Sequence, residues 1–322
     1  MSELTTNIDA IRSEVTANLR PNVTEEILQM EEAEFETLWG KIYGALDKGG
    51  YLDDFDEPER KGLAEIKPNS VEKYYSKYRY DETLEANGNY NPSTDEITLN
   101  PKKFKPRKIT LIDLYSKGHL TPSPEITILH EKKHHSQKKH FLKVVRQKTT
   151  GLEAQLQESA ANGLFLQAYI NPYFRSLFEY QATFEIAEKS GVWYAKALTN
   201  EPYKVESDIA EQMNELTTVA LSIGISNEDF MNALSLDILE YFDPEEEFHK
   251  NPQPPLNNLL GLVQTALEQR GKIISIKALR EWKDEDEYLD NIITSNGDRN
   301  FLTRLNLQRE IISIVNEFLE AA

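Results

Sequence analysis

Apolar residues recur at three- and four-residue steps over most of this chain, the spacing that gathers them on one face of a helix. Ile8, Ile11, Val15 and Leu19 keep that step before Pro21. Ile27, Phe35, Leu38, Trp39, Ile42 and Leu46 keep it before Gly49-Gly50, a helix stop, so two N-terminal helices are predicted. The tyrosines of SVEKYYSKYRY, residues 70–80, suit a third short helix. Around residue 88 the pattern changes. NGNYNPSTDEITLNP sets a Pro-Ser-Thr-Asp turn between short stretches holding Tyr90, Ile97 and Leu99, which predicts a pair of strands.

Helical spacing then resumes. Pro122 and Pro124 precede a helix expected to begin near Glu125. GLEAQLQESAANGLFLQAYI, residues 151–170, reads as the next helix, and Asn171-Pro172 starts another that runs towards Gly191. From about residue 205 further helices are expected, broken at Asp243-Pro244, at residues 251–255 and at Gly297. The pattern predicts an α+β chain that is mostly α. Three parts are expected: a helical N-terminal domain (1–85), a core with a small β-hairpin or sheet (86–200) and a helical C-terminal domain (201–322).

Composition narrows the function. No apolar run approaches the roughly 18 residues that a membrane span needs, so no membrane partner is expected. MSELTTNIDAIRSEV has no charged-then-apolar signal region and the chain has 0 cysteines, a combination that fits the cytoplasm. Without cysteine, any metal must be held by His, Asp or Glu. A net charge of −18 argues against a nucleic-acid partner. That average conceals a basic stretch: residues 102–148 carry 13 Lys or Arg against Asp113, Glu125 and Glu131, which leaves −28 on the rest of the chain. Around a cleft, such a stretch would draw in an acidic peptide or protein. The acidic DPEEEF and KDEDEY segments offer the competing expectation, that the basic stretch pairs within the fold.

Inside the basic stretch lies His130-Glu131-Lys132-Lys133-His134, an H-E-x-x-H sequence on a predicted helix. Histidines four apart project from one face and can share a zinc ion, while the intervening glutamate stands beside them. A glutamate in that position can take a proton from zinc-bound water and deliver it to a leaving group. Lys132 and Lys133 depart from the uncharged residues usual between such ligands and suit a solvated helix face.

The longer segment from Leu129 to Gln137, L-H-E-x-x-H-H-x-Q, resembles a subset of zincin metallopeptidases. YNPSTDEITLNP is similar to the strand hairpin that zincins place before the zinc helix, and Glu158-Ser159-Ala160-Ala161-Asn162 resembles the E-x-x-A-N third-ligand helix of small gluzincins. The resemblance covers roughly residues 88–190 and neither flank. It implies a zincin-like core in which His130, His134 and Glu158 hold zinc and Glu131 is the general base. Helical spacing also puts Glu158 on one face with Ala154, Ala161 and Phe165, where small neighbours would allow close approach. Glu153, on the face of Gln157, Ala160 and Leu164, is the competing choice.

Helix geometry adds a condition. A first helix running straight to Arg146 would climb about 18 Å past His134, and the return to Glu158 would recover only about 10 Å. A straight pair would therefore miss the metal, and the zinc helix is expected to end or bend between Lys138 and Phe141. Tyr169, Tyr173, Tyr180 and Tyr194 are candidate donors to an oxyanion, and His135, Gln137 and His140 suit either the surroundings of the ligands or a solvated face. The expected function is zinc-dependent hydrolysis of peptide bonds in a specific protein, by Glu131-assisted attack of zinc-bound water. The alternative is a catalytically inactive zincin-like or helical interaction protein. No glycine-rich phosphate loop is present, and no cofactor besides zinc is implied.

Overall fold

The computed structural model describes residues 3–55, 57, 60, 78–120, 123–148, 154–190, 207–243, 253–281 and 287–321. Tyr194, Glu153 and most of DPEEEF and of KDEDEY lie outside the described residues, as does most of the tyrosine-rich segment expected to be a third helix. The fold is α+β and mostly α. The N-terminal helices are α1 (Glu3–Ala17), α2 (Val23–Gln29) and α3 (Glu32–Lys48). Strands β1 (Arg79–Tyr80), β2 (Gly88–Asn91) and β3 (Glu96–Leu99) follow. Arg79 and Tyr80, expected at the end of a helix, instead pair in a strand with Thr98 and Leu99.

The sheet has the order β1-β3-β2, with β1 parallel and β2 antiparallel to the central β3. Tyr90 faces Ile97 across the hairpin, and the turn closes on Asp95 in the left-handed region (φ 59°), a conformation that Asp tolerates. Asp95 also fastens the hairpin to the helix behind it. It accepts from the Tyr90 hydroxyl and from Lys138 Nζ (3.2 Å), and it lies 3.3 Å from His135 Nδ1. Despite partial burial, these donors hold its carboxyl below the ordinary aspartate range.

Beyond the sheet come α4 (Arg107–Lys117), α5 (Pro124–Lys148), α6 (Ala154–Ile170) and α7 (Pro172–Ser190). The remaining helices are α8 (Ser207–Ser222), α9 (Asn227–Tyr241), α10 (Asn257–Glu268), α11 (Ile276–Glu281) and α12 (Glu287–Ala321). Two expected interruptions are absent. Helix α5 runs unbroken through Lys138–Phe141, because it contains no glycine or interior proline and its buried stripe of Ile128, His134, Phe141, Val144 and Val145 continues to the last turn. Helix α12 likewise passes through Gly297. A mid-helix glycine costs only about 1 kcal/mol, less than the packing of this helix on α1, α3, α4, α7 and α8 supplies.

One continuous core joins all three parts of the chain, from Val15 through Phe165 to Val315. Gly118 ends α4 with φ 65°, and a Cβ there would stand 2.8 Å from the Arg304 carbonyl of α12, so only glycine admits the close crossing. Beneath the helix that carries the histidines, Phe141, Phe165 and Phe178 meet with ring centroids 5.3–5.6 Å apart and lock α5, α6 and α7 together. Each is fully buried, which stabilises by about 1.5–3 kcal/mol per side chain.

Part of the basic stretch is paired with acids from outside it: Lys102 with Glu82, Lys133 with Glu185, Lys138 with Asp95, Lys143 with Glu228 and Arg146 with Glu158. Arg107 is buried against Glu125 (2.7 Å) with its guanidinium over the Trp39 ring. No helix of the described residues is long and apolar enough to cross a membrane.

Candidate metal centre

Helix α5 presents His130 and His134 one turn apart, and α7 crosses it with Glu179 facing both. His130 Nε2 lies 2.8 Å from Glu179 Oε2, His134 Nε2 lies 3.2 Å from the same oxygen, and the two nitrogens are 3.1 Å apart. Among the described residues these three form the one cluster of His, Asp or Glu able to hold a metal ion. With ligand distances of roughly 2.0 Å, a tetrahedral zinc site separates its donors by about 3.3 Å, so the observed triangle is one face of such a site, slightly contracted. The donor chemistry fits as well. Two imidazole lone pairs and an anionic oxygen converge on one point, an arrangement that repels itself unless a proton or a cation lies between them.

The rest of the carboxylate is held by Arg175, one turn earlier on α7, which binds Glu179 Oε1 and leaves Oε2 to the histidines. Arg175 is itself fixed over the face of Tyr169, 3.7 Å from the ring centre. Burial alone would raise the Glu179 carboxyl, but Arg175 and the contacts with both imidazoles hold it well below the glutamate range. For His130 burial works against the proton, and contact with Glu179 overrides it and raises the imidazole. His134 is fully buried, with its Nδ1 2.8 Å from Gln137 Oε1. His130 is the partly exposed member of the cluster, at 22% of its side chain.

Glu131 is buried, 6% exposed, on the side of α5 that meets β2. Strand and helix touch there through Gly88. A Cβ at that position would stand 2.6 Å from Thr127 Cγ2 and 3.2 Å from Glu131 Oε1, so glycine lets the strand lie against the glutamate. Tyr169 packs edge-on to His134 with centroids 5.6 Å apart, its hydroxyl buried with no hydrogen-bond partner among the described residues, and burial pushes it well above the usual tyrosine range.

The structure thus brings His130 and His134 together with Glu179, sets Glu131 on the neighbouring side of α5 against β2, and leaves Glu158 away from the histidines. Glu158 is exposed on α6 and pairs with Arg146 (3.1 Å), three turns beyond His134. Because α5 runs on to Lys148, α6 begins too far along it for Glu158 to return, and the carboxylate beside the histidines comes from the following helix. Glu179 carried a signal that spacing alone did not reveal. It sits in a helix whose Phe174, Leu177, Phe178, Tyr180 and Ala182 are all buried, so its own face is buried too, and a buried carboxylate needs a partner. Lys132 and Lys133 also depart from a purely solvated face: Lys132 Nζ donates to the Asp54 carbonyl (2.7 Å), and Lys133 pairs with Glu185 of α7. Of the other candidates, Gln137 touches a ligand, whereas His135 contacts Asp95 and His140 contacts Asn232. Compared with protein-family models, curated proteins and solved structures, the chain matches none.

Proposed function

We propose that the chain is a zinc-dependent metallopeptidase that cleaves peptide bonds in a protein substrate. The observation that carries this reading is the buried Glu131 standing next in sequence to His130, on the helix turn that aims two imidazoles at the Glu179 carboxylate. His130 Nε2, His134 Nε2 and Glu179 Oε2 would hold the ion, and neutral-His plus carboxylate donors without thiolate suit zinc. Zinc, when bound, acidifies a coordinated water and polarises a carbonyl. Glu131 accepts the proton of the attacking water on its carboxylate and passes it to the leaving amine nitrogen, and burial beside β2 keeps bulk water from competing. Arg175 keeps Glu179 anionic and turned towards the histidines.

Two further features support a peptide substrate in a reducing compartment. Among the described residues β2 pairs only with β3, so this edge strand beside α5 offers main-chain groups to an extended peptide. The lack of cysteine supports a cytoplasmic location. The basic stretch lends little to the idea of an acidic substrate, since Lys102, Lys133, Lys138, Lys143 and Arg146 pair with acids from elsewhere in the fold.

The test is Glu131→Gln. Zinc content is expected to stay at the wild-type level while cleavage of a casein or proteome-derived peptide library falls by about 10²–10⁴-fold. Full cleavage by the variant would remove Glu131 from the reaction, and absence of cleavage by zinc-loaded wild type across the library would remove the peptidase reading.

A further inference from the structure

A chain of amide side chains leads away from the metal centre, and every hydrogen in it has an acceptor. Gln137 Oε1 lies 2.8 Å from His134 Nδ1. Gln137 Nε2 donates to the Phe178 carbonyl (2.7 Å) and to Gln181 Oε1 (2.5 Å). Gln181 Nε2 donates in turn to Glu185 Oε1 and to Asn227 Oδ1, both at 3.0 Å. Gln137 and Gln181 are each 3% exposed, so water offers little alternative to these bonds. Glu185 is held at the far end by Lys133, the residue that departs from the usual pattern between the histidines.

The direction of the chain is dictated at two points. The Phe178 carbonyl and the Glu185 carboxylate can only accept. Glu185 therefore faces the NH2 group of Gln181, which turns Gln181 Oε1 to Gln137. Gln137 must then turn its own NH2 group to Gln181 and Phe178, so its oxygen faces His134. An oxygen at His134 Nδ1 requires a ring proton on Nδ1, and in the neutral ring that leaves Nε2 with a lone pair. Glu179 opposes this choice weakly, because His130 Nε2 at 2.8 Å is the nearer proton source for its carboxylate.

We propose that Glu185, Gln181 and Gln137 form a polarised relay that fixes His134 in the Nδ1–H tautomer, so that its Nε2 stands ready as a metal donor, with Lys133 anchoring the far end. These are positioning residues, acting on the metal only through His134. The metal reading supplies the consequence for affinity, whereas the tautomer is a property of the metal-free protein. Loss of such a hydrogen-bonded support lowers metal affinity by about 10–100-fold.

The experiment has two parts on the full chain. Long-range proton–nitrogen NMR of metal-free, histidine-labelled protein at pH 8.5, with His134 assigned from His134→Gln, is expected to show the proton on Nδ1. Zinc titration is then compared for Glu185→Gln and Glu185→Met. Both variants break the ion pair with Lys133, but only the glutamine still presents an acceptor to Gln181. Glu185→Gln is expected to keep zinc affinity within about 3-fold of wild type, while Glu185→Met and Gln137→Met lose about 10–100-fold. An Nε2–H tautomer in the metal-free protein, or equal loss in the two Glu185 variants, would overturn the relay. If wild type takes no zinc, the metal reading fails, and the tautomer alone still decides the relay.

Discussion

Zinc should act as a clamp between α5 and α7, and the size of the effect can be worked out. The donors come from two helices, so unfolding either releases the ion, and zinc contributes stability set by its concentration relative to the dissociation constant. At 100 times that constant the contribution is about 2.7 kcal/mol, and at 1,000 times about 4.1 kcal/mol. Unfolding entropy near 60 °C is about 2.1 cal/mol/K per residue, or about 0.7 kcal/mol/K for a chain of 322 residues. The expected rise in Tm is therefore about 4 °C at the lower concentration and about 6 °C at the higher. Differential scanning calorimetry in zinc and in chelator measures it directly. Glu179→Gln is the informative variant, since it keeps the side chain's shape and an oxygen that can accept from Arg175, both of which alanine removes. A 100-fold loss of affinity in Glu179→Gln would shrink the rise to under about 1 °C at the lower concentration and to about 2 °C at the higher, whereas Glu158→Ala should keep it whole. An undiminished rise in Glu179→Gln, or its loss in Glu158→Ala, would refute the assignment of the third donor.

Two further outcomes follow from the packing. Gly88→Ala forces a Cβ to 2.6 Å from Thr127 Cγ2 and against Glu131, so it should lower stability by about 1–3 kcal/mol in urea unfolding with zinc content unchanged. Thr127→Ser, which removes that methyl, should restore most of the loss, and no rescue would mean that the strand does not rest on the helix there. Asp237 is buried and caps α10 through the amides of Asn258 and Leu259, and burial pushes its carboxyl up to about 6. A carboxyl raised above its unfolded value favours the fold when protonated. That contribution is present below about pH 4 and is lost as the pH rises through about 6, by at most about 3 kcal/mol. Asp237→Asn, which cannot ionise, should gain on wild type between pH 4 and pH 8, whatever offset the loss of one acceptor oxygen imposes at both. A constant difference across that range would contradict the reading.

The zinc-helix motif and the hairpin were legible because their signals are local. Four-residue spacing places His130 and His134 together on any helix, and Gly88 and Asp95 mark the strand and the turn whatever surrounds them. The third donor was not local. Its position depends on whether α5 bends, and nothing in the stretch from Lys138 to Phe141 breaks a helix. The straight case leads, at 1.5 Å per residue, to a Glu158 stranded about 18 Å along α5, where Arg146 meets it. The next helix back to the histidines is α7, and Glu179 is its buried carboxylate. Lys133 was unreadable for the same reason, since its partner Glu185 lies on that helix too.

The central claim is that His130, His134 and Glu179 hold one zinc ion. A zinc-edge anomalous difference map from crystals of the zinc-loaded protein tests it most directly. The account expects one strong peak roughly 2.0–2.2 Å from His130 Nε2, His134 Nε2 and Glu179 Oε2. A peak shared with Glu158, or no peak between the two histidines at full zinc occupancy elsewhere, would contradict it.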